Sequence, residues 1–508
     1  MPRVILPVIS PSVPQTEPTG HSSVRSANFD GRQLILRQSG LPREALLVDR
    51  HAHEAKMGGV RMSLGTAADR LDYLARMGVT PERVVNTATC HSSVPIQHPN
   101  AGNIQFQLGR MRVDTVELPD RASRHDLPTC KALDAIPLAL PDRDEPHTIN
   151  TGKYLANRIS SAVAEHARHH GCEFFCGGSH ATMLDYYRGK GFDRAVEISS
   201  NTSTRAHLLA SSSNGKSTLV LSGMSSETRI KHQLLQLHFA GVDLNRIHLV
   251  GEIGAQKAQA KQSLGTVLSQ LPSADSRTLF IGARWQIMEY LGKQIHGIAD
   301  ERPEGEGYAK LAPREHKVDS FMFDTARFSL DGRQHLVAAL RMPNGDLAYD
   351  ATKVFLEHGF NHVVMCGAGG RLAGELQVGD YMLLGQSQYG GENFSVAREC
   401  IQVPYAGIFS DRKLNSNVTV DSPLQETERW LKENHATGSV DVETAHIFRA
   451  LHERGSGIKV IPGLFVSDVV GAHPLEGKIS TADAYRNLSE FVAATLRSIR
   501  EHDSISTA

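Results

Sequence analysis

The chain has almost no net charge: 54 Lys and Arg stand against 55 Asp and Glu, leaving −1. That balance gives no electrostatic case for nucleic acid or an anionic membrane surface as partner. Long apolar runs are missing as well. None approaches the roughly 20 residues that cross a bilayer. Cysteine is scarce, at six in 508 residues. Cys90, Cys130, Cys172, Cys176, Cys366 and Cys400 are scattered along the chain. This excludes a disulfide framework and points to a reducing, cytoplasmic setting. Met1–Gly20 is broken by proline and lacks the continuous apolar core of a secretory signal, so residues 1–44 read as a disordered leader.

What is present suits a globular chain of several domains. The composition is 40% apolar and 21% charged, and the length exceeds one ordinary domain. Residues 45–190 read as an α/β region whose role the sequence does not reveal. Over 191–300 strands and helices alternate, as in a parallel α/β layer. Strands are expected at Arg194–Ile198, Thr218–Leu221, Arg246–Val250 and Thr278–Ile281. Helices are expected at Glu227–Ala240, Lys257–Gln270 and Trp285–Gly292. Residues 301–318 are charged and carry Pro and Gly, which marks a linker. A last domain, 319–501, follows and closes on an amphipathic helix, Ala482–Glu501.

Three stretches invite metal or phosphate and are read otherwise. Asp49-Arg50-His51-Ala52-His53 follows a strand, and His51 and His53 would leave one face of it. The stretch resembles the metal-binding opening of amidohydrolases, yet no later strand ends complete such a site. His166, His169, His170, Cys172, Cys176 and His180 crowd together. They read as a solvated helix end followed by a buried strand, and no metal ligand is assigned. Asn214-Gly215-Lys216-Ser217-Thr218 has the tail of a phosphate loop, but Ala210 stands where its first Gly belongs and a strand follows instead of a helix.

The middle region resembles the haloacid dehalogenase-like phosphatases. Leu219–Arg229 matches their second motif, with Ser222 after its strand. Lys257 takes the place of the third motif's Lys, and Thr278–Ala299 that of the fourth. Ala283 and Ile287 stand where acids belong, and Ser199–Ser203 replaces the carboxylate nucleophile motif. The resemblance therefore implies a degenerate scaffold without phosphoryl-transfer chemistry.

The C-terminal region resembles the nucleoside phosphorylase/nucleosidase superfamily. Three segments carry the likeness in order: His362–Gly385, with Gly367, Ala368, Gly369 and Gly370 followed by Gly379-Asp380; Ser439–Ile447; and Leu464–Gly471. The fold class expected is thus α/β and multi-domain. A doubly wound parallel α/β domain would precede a three-layer domain with a mixed sheet.

The resemblance implies cleavage of an N-glycosidic bond. Asp468 would protonate the leaving base, and Glu443 would hold ribose hydroxyls and stabilise the developing positive charge. Val442 would pack under the sugar. Ser467 and the Gly367–Gly370 run would complete the binding site. Ala368 stands where phosphorolytic members place Ser or Thr, and Arg341 and Arg371 are not motif matches. Hydrolysis is therefore expected over phosphorolysis. No cofactor is expected, with phosphate the alternative co-substrate. The partner is a small nucleoside or nucleotide, and by analogy the chain forms a homo-oligomer. Two other functions remain open: a nucleoside-binding scaffold without activity, and a metal-dependent amidohydrolase using His51 and His53.

Overall fold

The computed structural model describes residues 111–119, 126–199, 204–299, 305–403, 413–472 and 488–505, with short strands between residues 25 and 108. His51 and His53, and most of the Ser199–Ser203 motif, lie outside the described residues. Arg25–Phe29 and Arg32–Leu36 pair as a hairpin inside the segment expected to be a disordered leader.

The chain is α/β. Its first sheet contains β1 (Gln105–Leu108), β2 (Met111–Val116), β3 (Thr129–Lys131), β4 (Cys172–Phe175), β5 (Arg194–Ser199), β6 (Arg205–Ala210), β7 (Ser217–Ser222) and β8 (Ile247–Val250), in spatial order β1-β2-β5-β6-β7-β4-β8-β3. Parallel pairing is confined to β7-β4-β8. The ribbon β5-β6-β7 is antiparallel. β6 carries the difference, because Arg205–Ala210 is a strand that the strand–helix alternation did not anticipate. It returns through the turn at Gly215, whose φ of +67° needs glycine. The apparent phosphate-loop tail is this hairpin turn.

Alternation along the strands divides the first core between two faces. Phe174, Leu208, Leu219 and Leu221 face helices α1 (Thr151–Arg158), α2 (Ser161–His170) and α4 (Glu227–Phe239). Phe175, Leu209 and Val220 face α3 (His180–Gly189).

The second sheet has ten strands. They are β9 (Ser276–Gly282), β10 (Arg314–Val318), β11 (Phe321–Leu330), β12 (Arg333–Arg341), β13 (His362–Arg371), β14 (Tyr381–Tyr389), β15 (Glu392–Ser395), β16 (Leu414–Thr419), β17 (Ser439–Asp441) and β18 (Lys459–Val469). The order is β10-β11-β12-β9-β13-β17-β16-β14-β15, with β18 pairing β13 and β14. The sheet is mixed: β9 is parallel to β12 and β13, while β17 is antiparallel to β13.

Strands β9, β12, β13 and β18 bury apolar residues on both faces, as a sheet covered twice requires. On β9, Leu279 and Ile281 join one core and Phe280 the other. The first core takes α5 (Ile253–Ser269), α7 (Leu347–Glu357) and α8 (Thr444–Arg454). The second takes α6 (Arg284–His296) and α9 (Leu488–Ile505). This is the expected three-layer arrangement.

The border between the two sheets falls earlier than the sequence suggests. β9 was expected to close the middle region, but it hydrogen-bonds β12 and β13 of the second sheet. Ala260, Leu264 and Leu268 of α5 pack in the second sheet's core. Stretch 301–318, read as a linker, contributes the helix Glu306–Leu311 and edge strand β10. The motif stretches that resemble haloacid dehalogenases therefore do not share one sheet. A strand buried on both faces fits either sheet by pattern alone, and pairing decides.

Candidate active site

β13 and β18 run parallel, and their C-terminal ends meet where Gly370 lies opposite Asp468, just past a bulge between Gly369 and Gly370. On its other edge β13 pairs with β17, which sets Gly370 opposite Val440. β17 ends at Asp441, and the chain turns through Val442 and Glu443 into α8. Ser467-Asp468 and Asp441–Glu443 thus flank one glycine stretch.

That stretch is strand. β13 continues through Arg371, and none of Gly367, Gly369 and Gly370 has a positive φ. Their missing side chains make room for the protein's own atoms. A Cβ on Gly367 would stand 2.7 Å from Met342 Cε, and one on Gly369 would stand 2.7 Å from the Val440 carbonyl oxygen. On Gly370 it would meet Val470 Cγ2 at 2.7 Å and Asp468 Oδ2 at 3.0 Å. Of the four residues, Ala368 alone is exposed.

Asp468 and Ser467 are buried, and Ser467 Oγ donates to Asp468 Oδ1 at 2.6 Å. Glu443 is buried too. Its carboxyl accepts the Gly345 N–H and makes no side-chain cap to α8. Burial, and then the neighbouring Asp441, push it well above the usual carboxylate range. Val442 packs sideways against the cluster of Val418, Val440 and Val470.

Asp441 was not singled out in the sequence, yet it organises the turn. Its Oδ1 accepts from Asn417 Nδ2 and Thr419 Oγ1, each at 2.9 Å, and its Oδ2 from Thr444 N at 3.0 Å and from Thr444 Oγ1. Ser439 Oγ holds Asn417 from the far side at 2.8 Å. Burial raises the Asp441 carboxyl against the pull of these donors. The signal was present in the spacing: an Asp at a strand end, three residues before a Thr that opens a helix, is a capping arrangement.

A second group reaches the site from the first sheet's side. Thr228, on α4, donates its N–H to Asp346 Oδ1 at 3.3 Å, and Asp346 returns its own N–H to Thr228 Oγ1 at 3.3 Å. Lys257 of α5 sits 2.8 Å from Asp346 and 3.3 Å from Asp350. Burial works to raise Asp346, but Lys257 outweighs it and leaves the carboxyl below its ordinary value. Gly345, the donor to Glu443, is therefore fixed between this contact and the turn. His446 lies on the same side, its ring tilted at 60° to that of Tyr389 with centroids 4.6 Å apart. Burial lowers it to about 4, so it is neutral, and its Nε2 has no hydrogen-bond partner among the described residues.

Neither Arg considered for phosphate is poised on the glycine run. Arg371 donates to the Gly374 carbonyl in the following turn. Arg341 is exposed, and it adds to burial in holding Arg229 down to about 10. A cleft of ≈ 500 Å³ opens nearby, lined by Ala373, Gly374, Gln386, Asn415, Ser416 and Gly438 among others. It shares β14 and β16 with the site but includes neither Glu443 nor Asp468. Among the described residues, no helix is long and apolar enough to cross a membrane.

The chain matches no protein-family model and no curated protein. Part of it is similar to solved structures of nucleosidases. A futalosine hydrolase mutant of Helicobacter pylori is 10% identical over 44% of this chain and 99% of its own, with a TM-score of 0.31. An S-adenosylhomocysteine nucleosidase of Streptococcus pyogenes, in complex with 5-methylthiotubericidin, is 16% identical over 44% of this chain and 95% of its own, at 0.29. A 5′-methylthioadenosine/S-adenosylhomocysteine nucleosidase of Neisseria meningitidis, in complex with methylthio-immucillin-A, is 16% identical over 44% and 99%, at 0.30.

Proposed function

We propose that this protein cleaves the N-glycosidic bond of a purine-type nucleoside or nucleotide, with water as the attacking group. One observation carries the reading: two buried carboxyl groups, Asp468 and Glu443, stand on strand ends that flank the same glycine-bearing strand.

The two acids have unequal surroundings and suit unequal tasks. Asp468, held by Ser467, is the general acid that protonates the departing base, so that the base need not leave as an anion. Glu443 faces the sugar. Burial holds its carboxyl above the ordinary range, and a ribosyl group gaining positive charge would pull it the other way, toward the ionised form. Its carboxyl oxygens, set against the ribose hydroxyls, would stabilise the positive charge that develops on the ribosyl group as the glycosidic bond breaks. Asp441 positions the turn and takes no part in proton transfer.

Water is preferred over phosphate because Ala368 brings no hydroxyl to the glycine run and Arg371 is occupied by its own turn. Incubation with a nucleoside and nucleotide panel, with and without phosphate, tests this by chromatography of the free base. Base release without phosphate supports hydrolysis, and release only with phosphate would replace it with phosphorolysis. Nucleoside binding with no release would favour a sensor or scaffold.

A further inference from the structure

The first sheet carries a separate cluster of titratable side chains. Glu197 on β5 and His207 on β6 are direct partners in the antiparallel register, so their side chains leave the same face of the sheet. That face is the one covered by α3, as Leu209 and Val220 show. α3 begins at His180, with Ser179 as its cap. The rings of His180 and His207 lie 4.7 Å apart, centroid to centroid. One donor atom from each of His180, Glu197 and His207 falls within 4.8 Å of the other two.

These groups are poorly served by the protein itself. The His207 side chain is 0% exposed, yet neither ring nitrogen has a hydrogen-bond partner among the described residues. Its nearest polar neighbour, Glu197 Oε2, is 3.5 Å from Nε2. His180 Nδ1 is likewise buried without a hydrogen-bond partner among the described residues. A buried imidazole left this way costs free energy. An ion pair between Glu197 and a protonated His207 would satisfy Nε2 but would leave both Nδ1 atoms orphaned. Donors at 2.0–2.1 Å from one tetrahedral zinc stand about 3.4 Å from each other. Glu197 and His207 already have that spacing.

We infer that His180, Glu197 and His207 form a binding site for a divalent ion of the zinc class, with two imidazole nitrogens, one carboxylate oxygen and a fourth position for water. The ion would tie the start of α3 to the β5-β6 ribbon. The thiols that crowd the sequence nearby are not ligands. Neither Cys172 nor Cys176 belongs to the group of donor atoms that His180, Glu197 and His207 form.

The test uses the full chain, stripped with chelator and titrated with Zn²⁺ by calorimetry and with Co²⁺ by visible absorption. One equivalent of metal is expected, with a cobalt ligand-field band and a rise in melting temperature on adding zinc. His180→Ala and Glu197→Gln should each weaken binding by more than the ~10–100-fold that loss of an outer-shell partner brings. His169→Ala, at an exposed position, should bind as the wild type does. Circular dichroism checks the fold of each variant. Glu197 is partly exposed, so Glu197→Gln carries the test if a histidine variant does not fold. Wild-type protein that binds no metal, or a folded Glu197→Gln that binds equally well, overturns the assignment.

Discussion

Gly370 and Asp468 face each other across the parallel pair β13–β18, so close that a methyl group on Gly370 would stand 3.0 Å from Asp468 Oδ2. The same methyl would press on Val470 Cγ2 at 2.7 Å, a contact that something must yield to relieve. Gly370→Ala is therefore expected to cost ~1–3 kcal/mol of stability, the usual range for overpacking. It should also shift Asp468 and lower base release by about 10²-fold, as a misplacement of about 1 Å can. A denaturant midpoint and a base-release assay check the two effects separately.

Asp441 is surrounded by donors, so Asp441→Asn would turn an amide NH₂ toward Asn417, Thr419 or Thr444. At least one buried donor then loses its acceptor, at a cost of about 1–3 kcal/mol. The turn that carries Glu443 should loosen with it. Urea unfolding of the variant measures the first effect, and amide exchange at Thr444 and Ala445 the second.

The raised pKa of Glu443 gives a pH dependence with a definite sign. The unfolded chain releases this proton near pH ~4.3, while the folded chain keeps it well above that. Between the two values the folded state binds more protons, so stability falls as pH rises through that window. Glu443→Gln mimics the neutral acid and should remove this fall, leaving the variant more stable than wild type at neutral pH. Melting temperatures from pH 4 to 8 for both proteins show whether the curves diverge in this way.

Lys257 joins helix α5 to Asp346 and Asp350, beside the Gly345 N–H that Glu443 accepts. Lys257→Met removes the charge and keeps much of the stem, leaving Asp346 buried beside no cation of equal reach. A loss of about 1–3 kcal/mol is expected, below the figure for fully buried pairs because Lys257 is partly exposed. Since the Asp346 carboxyl lies below its ordinary value, its contribution is present above the unfolded pKa and fades as pH falls. The variant should therefore approach wild-type stability in acid. Unfolding midpoints at pH 7 and pH 3 test this.

The second sheet's order is not written in any one strand, yet much of its content is. Val363–Cys366 of β13 and Val354–Leu356 of α7 are apolar at the positions the cores use, so period alone marks them. The strand at Thr278–Ile281 was equally plain, but its sheet was not. Leu279, Phe280 and Ile281 are buried on both faces, and such a strand pairs wherever the chain brings it. Arg205–Ala210 was missed because its charged start and central His207 break the apolar alternation. The proposed pair, Glu443 and Asp468, stands out in the sequence as two carboxylates at short motifs in order. Spacing to Thr444 marks Asp441 only as a cap; its bonds from Asn417 and Thr419, 24 and 22 residues away, come from the fold. Glu197 and His207 were hidden because their neighbour His180 comes from a separate helix, and only the register of β5 and β6 brings them together.

The most direct test of the account is the rate of base release by Asp468→Asn against wild type, in phosphate-free buffer, on whichever purine nucleoside or nucleotide the wild type accepts. The account predicts release by wild type and a loss of about 10²–10⁴-fold in the variant, the usual contribution of a general acid, with its fold intact by circular dichroism. A folded Asp468→Asn that releases base at the wild-type rate would contradict it.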